Sequence, residues 1–300
     1  MSKIRVANAP CSWGVLEFDL SGEAAGYQQV LDEMAQSGFV GTELGDWGFM
    51  PTEPGALQNE LKQRNLSMLG AFVPVALAVE STHEAGLENA LQVAKLLKEV
   101  SDSPFIVLSD DNARSDIRRK NAGRVKKEHG LTDEQWETFV KGAEEIAWRV
   151  LDETGVKTVF HHHCAGYVET PDEVDRFLSM TNPLLIGLCL DTGHYAFGGG
   201  DPLAALKRHV DRIWHVHFKD FDSAVAREAE KNNWDYFEAV KRGVFCELGK
   251  GNVDFNTITQ ELRRTEYGGW IVVEQDVLPG MGSPFQSAQR NREYLKSLGL

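Results

Sequence analysis

Short runs of β-branched and apolar residues recur along the chain, each followed by a longer stretch in which apolar positions return at helical spacing. Eight runs have the length and composition of strands: Ile4–Ala9, Phe39–Leu44, Met68–Val73, Phe105–Leu108, Lys157–His163, Leu185–Asp191, Arg212–Phe218 and Trp270–Glu274. Helical spacing marks Gly26–Ser37, Gly86–Val100, Asp133–Thr154, Pro171–Met180 and Phe255–Thr265. Thr170 ahead of Pro171 reads as a helix start, because a threonine hydroxyl can cap free amides and a proline lacks the amide that the first turn leaves unbonded. Gly38, Gly155 and Gly269 stand between a helix and the next strand, where a left-handed glycine is expected to end the helix. Strand–helix alternation predicts parallel βα units, and eight of them predict a (β/α)₈ barrel. A doubly wound open sheet is the alternative, although no glycine-rich fingerprint follows the first run.

The 300 residues suit one barrel domain spanning 1–300, without internal repeat, low-complexity tract or linker. Two polar connections are long, 109–132 and 220–252, and both follow strands, so they fall on the face where such barrels place their chemistry. The basic run Arg118, Arg119, Lys120, Lys126, Lys127 reads as a solvated face. A net charge of −14 repels phosphate backbones and anionic lipid, which argues against nucleic acid or membrane as partner and favours a neutral or metal-bridged small molecule. Cys11, Cys164, Cys189 and Cys246 form no CxxC pair and are expected to be reduced. With no signal-like apolar segment at the N-terminus and no run near the roughly 18 apolar residues of a membrane helix, the expectation is a cytoplasmic protein.

Seven of the nine histidines lie between 161 and 217, most of them at strand ends. The fifth strand ends His161-His162-His163, and alternation puts His161 and His163 on one face and His162 on the other. The sixth ends Asp191-Thr192-Gly193-His194, the seventh His215-Val216-His217-Phe218-Lys219-Asp220, and the eighth Val273-Glu274-Gln275-Asp276. In a closed barrel these four ends converge, and imidazole with carboxylate but no thiolate suits Mn²⁺, Co²⁺, Mg²⁺ or Zn²⁺.

These stretches resemble the xylose-isomerase-like TIM-barrel superfamily of sugar isomerases, epimerases and dehydratases. The resemblance implies a metal held by Asp191 of Asp-x-x-His, by His217 ahead of Lys219-Asp220 and by Glu274, with His194 in the same motif. Where many members read Glu-Pro-His on the fifth strand, this chain reads His161-His162-His163, which puts His161 at a ligand position. With Gly41-Thr42-Glu43-Leu44-Gly45 and Val168-Glu169-Thr170-Pro171, the pattern is similar to the inosose (2-keto-myo-inositol) dehydratases of inositol catabolism. That implies a hydro-lyase acting on a cyclic polyhydroxy ketone with Mn²⁺ or Co²⁺. Members of the superfamily often pair, so a homo-oligomer is compatible with it.

Dehydrating a β-hydroxy ketone needs a base for the α-proton, a site for the enolate oxygen and an acid for the departing hydroxyl. His161 or His163 would serve as ligand or acid, since imidazole exchanges protons near neutrality. Lys219, two residues beyond His217 and on its face, would polarise the carbonyl or act as base, against an ion pair with Asp220 or another acid. Glu43 would bind substrate hydroxyls or close a salt bridge, His215 would support His217 from below, and Trp13 would wall the pocket or simply pack. His83 and His129 fall in loops and His209 at a helix end, with no role assigned; Gly249 and Gly251 are read as serving backbone geometry. Competing readings are a ketose isomerase or epimerase on the same metal site, a non-catalytic sugar-binding barrel, and a DNA-repair nuclease, the last opposed by the negative charge.

Overall fold

The computed structural model describes residues 4–14, 25–112, 114–278 and 280–300. Eight parallel strand positions form the frame: β1 Arg5–Asn8, β2 Gly41–Thr42, β3 Ser67–Met68 continuing after Leu69 as Gly70–Val75, β4 Phe105–Asp110, β5 Lys157–His161, β6 Ile186–Asp191, β7 Ile213–Phe218 and β8 Trp270–Val273. Each pairs in parallel with the next and β8 pairs with β1. The ring closes at Leu69, whose amide donates to the Thr42 carbonyl at 3.0 Å and whose carbonyl accepts from the Phe105 amide at 2.9 Å. Closure excludes the open doubly wound sheet.

Side-chain alternation divides the core. Ile106, Leu108, Phe160, Leu188 and Leu190 pack outward with the helices, while Val107, Val159 and Cys189 form a separate inner cluster with Phe72 and Phe105. His161 stands two residues beyond Val159, and Asp191 two beyond Cys189. The polar side chains at the strand ends are therefore the next layer of the barrel interior, facing a shared mouth.

The helices begin and end where local chemistry directs. Thr132 and Thr170 cap Asp133–Thr154 and Pro171–Met180 through reciprocal boxes with Gln135 and Glu173. Gly38 and Gly155 adopt left-handed φ of 90° and 77°, as expected, but Gly269 does not; Glu266, at φ 56°, turns the chain there. Gly269 instead makes room for Tyr267, whose hydroxyl would meet an added Cβ at 2.5 Å and donates to the Trp270 carbonyl. His83 is the first residue of the helix His83–Val100 rather than a loop residue, and its Nε2 lies 2.8 Å from the Leu77 carbonyl.

The long connections are structured and roof the mouth. The first carries the short helix Asp116–Lys120; the second carries helices Ser223–Asn232 and Tyr236–Lys241 and an antiparallel ribbon, Asp220–Phe221 with Phe245–Cys246. Ala122, Cys164, Phe197, Tyr236 and Phe245 join them in a second apolar cluster. The Asp220 carboxylate accepts the amides of Phe221, Gly249, Gly251 and Val253 at 2.8–3.1 Å, so it anchors the loop and does not pair with Lys219. Among the described residues no helix is long and apolar enough to cross a membrane.

One expectation fails here for a physical reason. Arg118 is not on a solvated face: it is fully buried, gives both Nη atoms to Glu173 at 2.7 and 2.9 Å, and donates Nε to the Gly166 carbonyl. Glu169, also buried, stands 4.0 Å away. A bidentate, desolvated guanidinium joining two loops leaves uncompensated carboxylates if removed. Arg118→Met should cost roughly 3–5 kcal/mol in urea unfolding; a loss within about 0.5 kcal/mol, typical of a surface change, would contradict this clamp.

Candidate metal centre and cavity

Consecutive strands each bring one donor to the mouth: His161 from β5, Asp191 from β6, His217 from β7 and Glu274 just past β8. One donor atom from each lies within 4.8 Å of the others. His161 Nε2 is 3.6 Å from Asp191 Oδ2, and His217 Nδ1 is 3.9 Å from that oxygen and 3.1 Å from Glu274 Oε1. His161 Nε2, Asp191 Oδ2 and His217 Nδ1 are buried without a hydrogen-bond partner. Unpaired polar atoms at such depth are costly, and three aimed at one point call for an ion. Two imidazoles with two carboxylates fit a divalent cation, so the residues present suit the group.

The neighbouring bonds fix which atom of each donor is free. Asp191 caps the helix Thr192–Phe197: its Oδ1 accepts the His194 amide at 2.8 Å, leaving Oδ2 for the centre. His215 Nε2 and His217 Nε2 both point at Glu43 Oε1, at 2.8 and 3.1 Å. With its Nε2 directed to Glu43, His217 turns Nδ1 to the centre, where an ion would take that nitrogen's lone pair. Burial alone would raise the Glu43 carboxyl, yet the two histidines bring it down to about 2. Burial is likewise outweighed at Asp191 by His161 and Lys219, which hold its carboxyl below the usual range.

Lys219 enters from the β7 end. Its Nζ lies 3.2 Å from Glu274 Oε2, 3.3 Å from both Asp276 oxygens, 3.3 Å from His194 Nε2 and 4.7 Å from the Phe245 ring centre. Burial disfavours its charge, but Asp276, Glu274 and Asp191 outweigh it and raise its pKa well above the ordinary value, keeping an ammonium. Gly193 permits this approach, since an added Cβ would sit 2.6 Å from Lys219 Cγ. His163 Nδ1 donates to the Cys164 carbonyl at 2.6 Å, with Asn112 beside the ring. Burial, with His161 and Lys219, pushes its pKa well down, so the imidazole is neutral with Nε2 carrying the lone pair. The cavity above is walled by Pro10, Cys11, Phe72 and Tyr236.

Residues 31–298 match the family described as Xylose isomerase-like TIM barrel. The chain belongs to that family. It is 34% identical over 299 residues to the Inosose dehydratase of Geobacillus kaustophilus (strain HTA426), covering 99% of this chain and 96% of the relative. It is 35% identical over 295 residues to the Rhizopine catabolism protein MocC of Rhizobium meliloti, covering 98% and 88%. The solved structure of the IOLI protein with a binding zinc atom superposes with a TM-score of 0.72 at 14% identity, covering 98% of each chain, which shows a shared fold.

In this xylose isomerase-like barrel, His161, His163, Lys219, Glu43 and Glu274 line the cavity. His194 packs against His163 with ring centres 3.8 Å apart and the planes tilted by 40°, behind the lining, and Trp13 is buried elsewhere, its indole donating to Glu33 at 2.7 Å. His162 faces away and accepts the Asp191 amide at 3.2 Å. Sequence reasoning did not single out Asp276, Asn112 or Tyr236. Only Asp276 had a signal, standing two residues past Glu274 on the same face. Because Glu43 sets the orientation of His217, Glu43→Gln should weaken divalent-ion affinity about 10–100-fold in competition with a chromophoric chelator; unchanged affinity would deny it that role.

Proposed function

We propose that this barrel is a metal-dependent hydro-lyase that dehydrates 2-keto-myo-inositol to a trihydroxycyclohexanedione. The observation that carries the reading is the convergence of donors from four successive strand ends, three of them unpaired, beside Lys219 and the His163 imidazole. The full-length likeness to inosose dehydratases supports the substrate. Mn²⁺ or Co²⁺ fits two imidazoles and two carboxylates better than Mg²⁺, which prefers oxygen ligands, and Zn²⁺ is the next alternative. When bound, the ion would hold the ketone oxygen and stabilise negative charge there.

The chain's own groups then divide the remaining work. His161, Asp191, His217 and Glu274 would hold the ion. His163 Nε2 takes the proton from the carbon beside the ketone, and the C–H electron pair moves toward the ketone oxygen, whose developing charge the nearby Lys219 ammonium favours through its field. As the pair returns to form the carbon–carbon double bond, the β-hydroxyl departs, takes the proton from His163 and leaves as water. The enol formed tautomerises to the dione. Tyr236 and Phe72 wall the ring and limit water. The four free cysteines suit a reducing compartment, and we place the protein in the cytoplasm with a small polyhydroxy ketone as its partner.

Chelator-treated protein should give no ultraviolet-absorbing dione from 2-keto-myo-inositol and should recover with Mn²⁺ or Co²⁺; turnover equal with and without metal would refute the metal's part. His163→Ala should retain one metal per chain yet lose roughly 10²–10⁴ in kcat. A loss below about threefold would assign the proton transfer to another group.

A further inference from the structure

The cavity's charge is arranged against anionic substrates, and one residue dominates that arrangement. Among the described lining residues Lys219 is the only lysine, there is no arginine, and Glu43, Asp46, Glu274 and Asp276 contribute carboxylates. A lysine at the base of a substrate cavity would ordinarily recruit a carboxylate or phosphate. Here its ammonium is enclosed: Glu274 on one side, both oxygens of Asp276 on another, His194 and the Phe245 ring around the rest, with 2% of the side chain exposed. Asp276 is itself 5% exposed and is not among the four metal-donor residues.

Resting on the dehydratase reading of this cavity, we propose that Asp276 is a specificity-determining residue: it occupies the face of Lys219 that a substrate anion would take and so reserves the site for uncharged polyhydroxy ketones. A ring ketone bearing a carboxylate would have to displace Asp276 or lie beside it with like charge, and neither is offset by a free lysine or arginine among the described lining residues. A neutral polyol loses nothing by the arrangement, because its hydroxyls can donate to these same carboxylates.

The test compares kcat/KM for 2-keto-myo-inositol and for 5-hydroxy-3-oxocyclohexane-1-carboxylate, a β-hydroxy ketone with a ring carboxylate, in manganese-loaded wild type, Asp276→Asn and Asp46→Asn. Because Asp276→Asn also alters Lys219, the ratio of the two substrates is the readout, with metal content and thermal melting confirming an intact site. The wild type should prefer the neutral ketone at least 100-fold; Asp276→Asn should narrow that preference tenfold or more, mainly through KM for the carboxylate. Asp46→Asn, at the exposed rim, should change it less than threefold. An unchanged ratio in Asp276→Asn, or an equal effect of both variants, overturns the proposal, the second by assigning the discrimination to a diffuse field. Calorimetric titration of both ketones into the same proteins reads the preference as binding, so an absence of turnover would defeat the dehydratase reading while the selectivity claim is still decided.

Discussion

The structure turns on four side chains brought together at the closed mouth of a parallel barrel, three of them with hydrogen-bonding capacity left unspent. His161, Asp191, His217 and Glu274 are drawn together by strand pairing, and the protein around three of them engages the competing atom. Asp191 gives one oxygen to a helix start, His217 one nitrogen to Glu43, and Glu274 one oxygen to Lys219. What remains is one donor atom from each within 4.8 Å of the others, three of them without a partner. Buried polar atoms left this way are a liability unless an ion completes them, so the same constraint that closes the barrel commits its mouth to cation binding.

Around that centre the charges are balanced by proximity. Three carboxylates lie near Lys219, so the lysine stays charged, and the histidines near Glu43 keep that carboxylate charged as well. His163 is excluded from this ionic set. Its Nδ1 is tied to a backbone carbonyl and its ring is buried near the Lys219 ammonium, which leaves a neutral base among fixed charges. Pre-set polarity of this kind is what proton transfer next to a carbonyl requires, because little has to reorganise as charge develops.

Much of the frame was legible because its signals are local. Strand–helix alternation, the Thr170-Pro171 start and the strand-end Asp191, His217 and Glu274 depend on neighbours a few residues away, and alternation alone separated His161 and His163 from His162. The rest depends on distant partners. Arg118 sits in a basic run that reads as surface, yet its partner Glu173 lies 55 positions away and buries it. Tyr236 reaches the cavity, and Asn112 reaches the His163 ring, from connections whose paths no local pattern specifies. Lys219 could have paired with the adjacent Asp220; backbone amides claimed that carboxylate, and the lysine turned to Asp276. Gly269, taken for a helix end, is instead a space beside Tyr267.

The central claim is that one divalent ion sits among these four residues. X-ray absorption at the manganese edge, together with anomalous diffraction from manganese-soaked crystals, measures it most directly. The account predicts one ion per chain, bound by two imidazole nitrogens and carboxylate oxygens at roughly 2.0–2.2 Å. An ion at another position, or a site that stays empty with Asp191 and His217 turned apart, would contradict it.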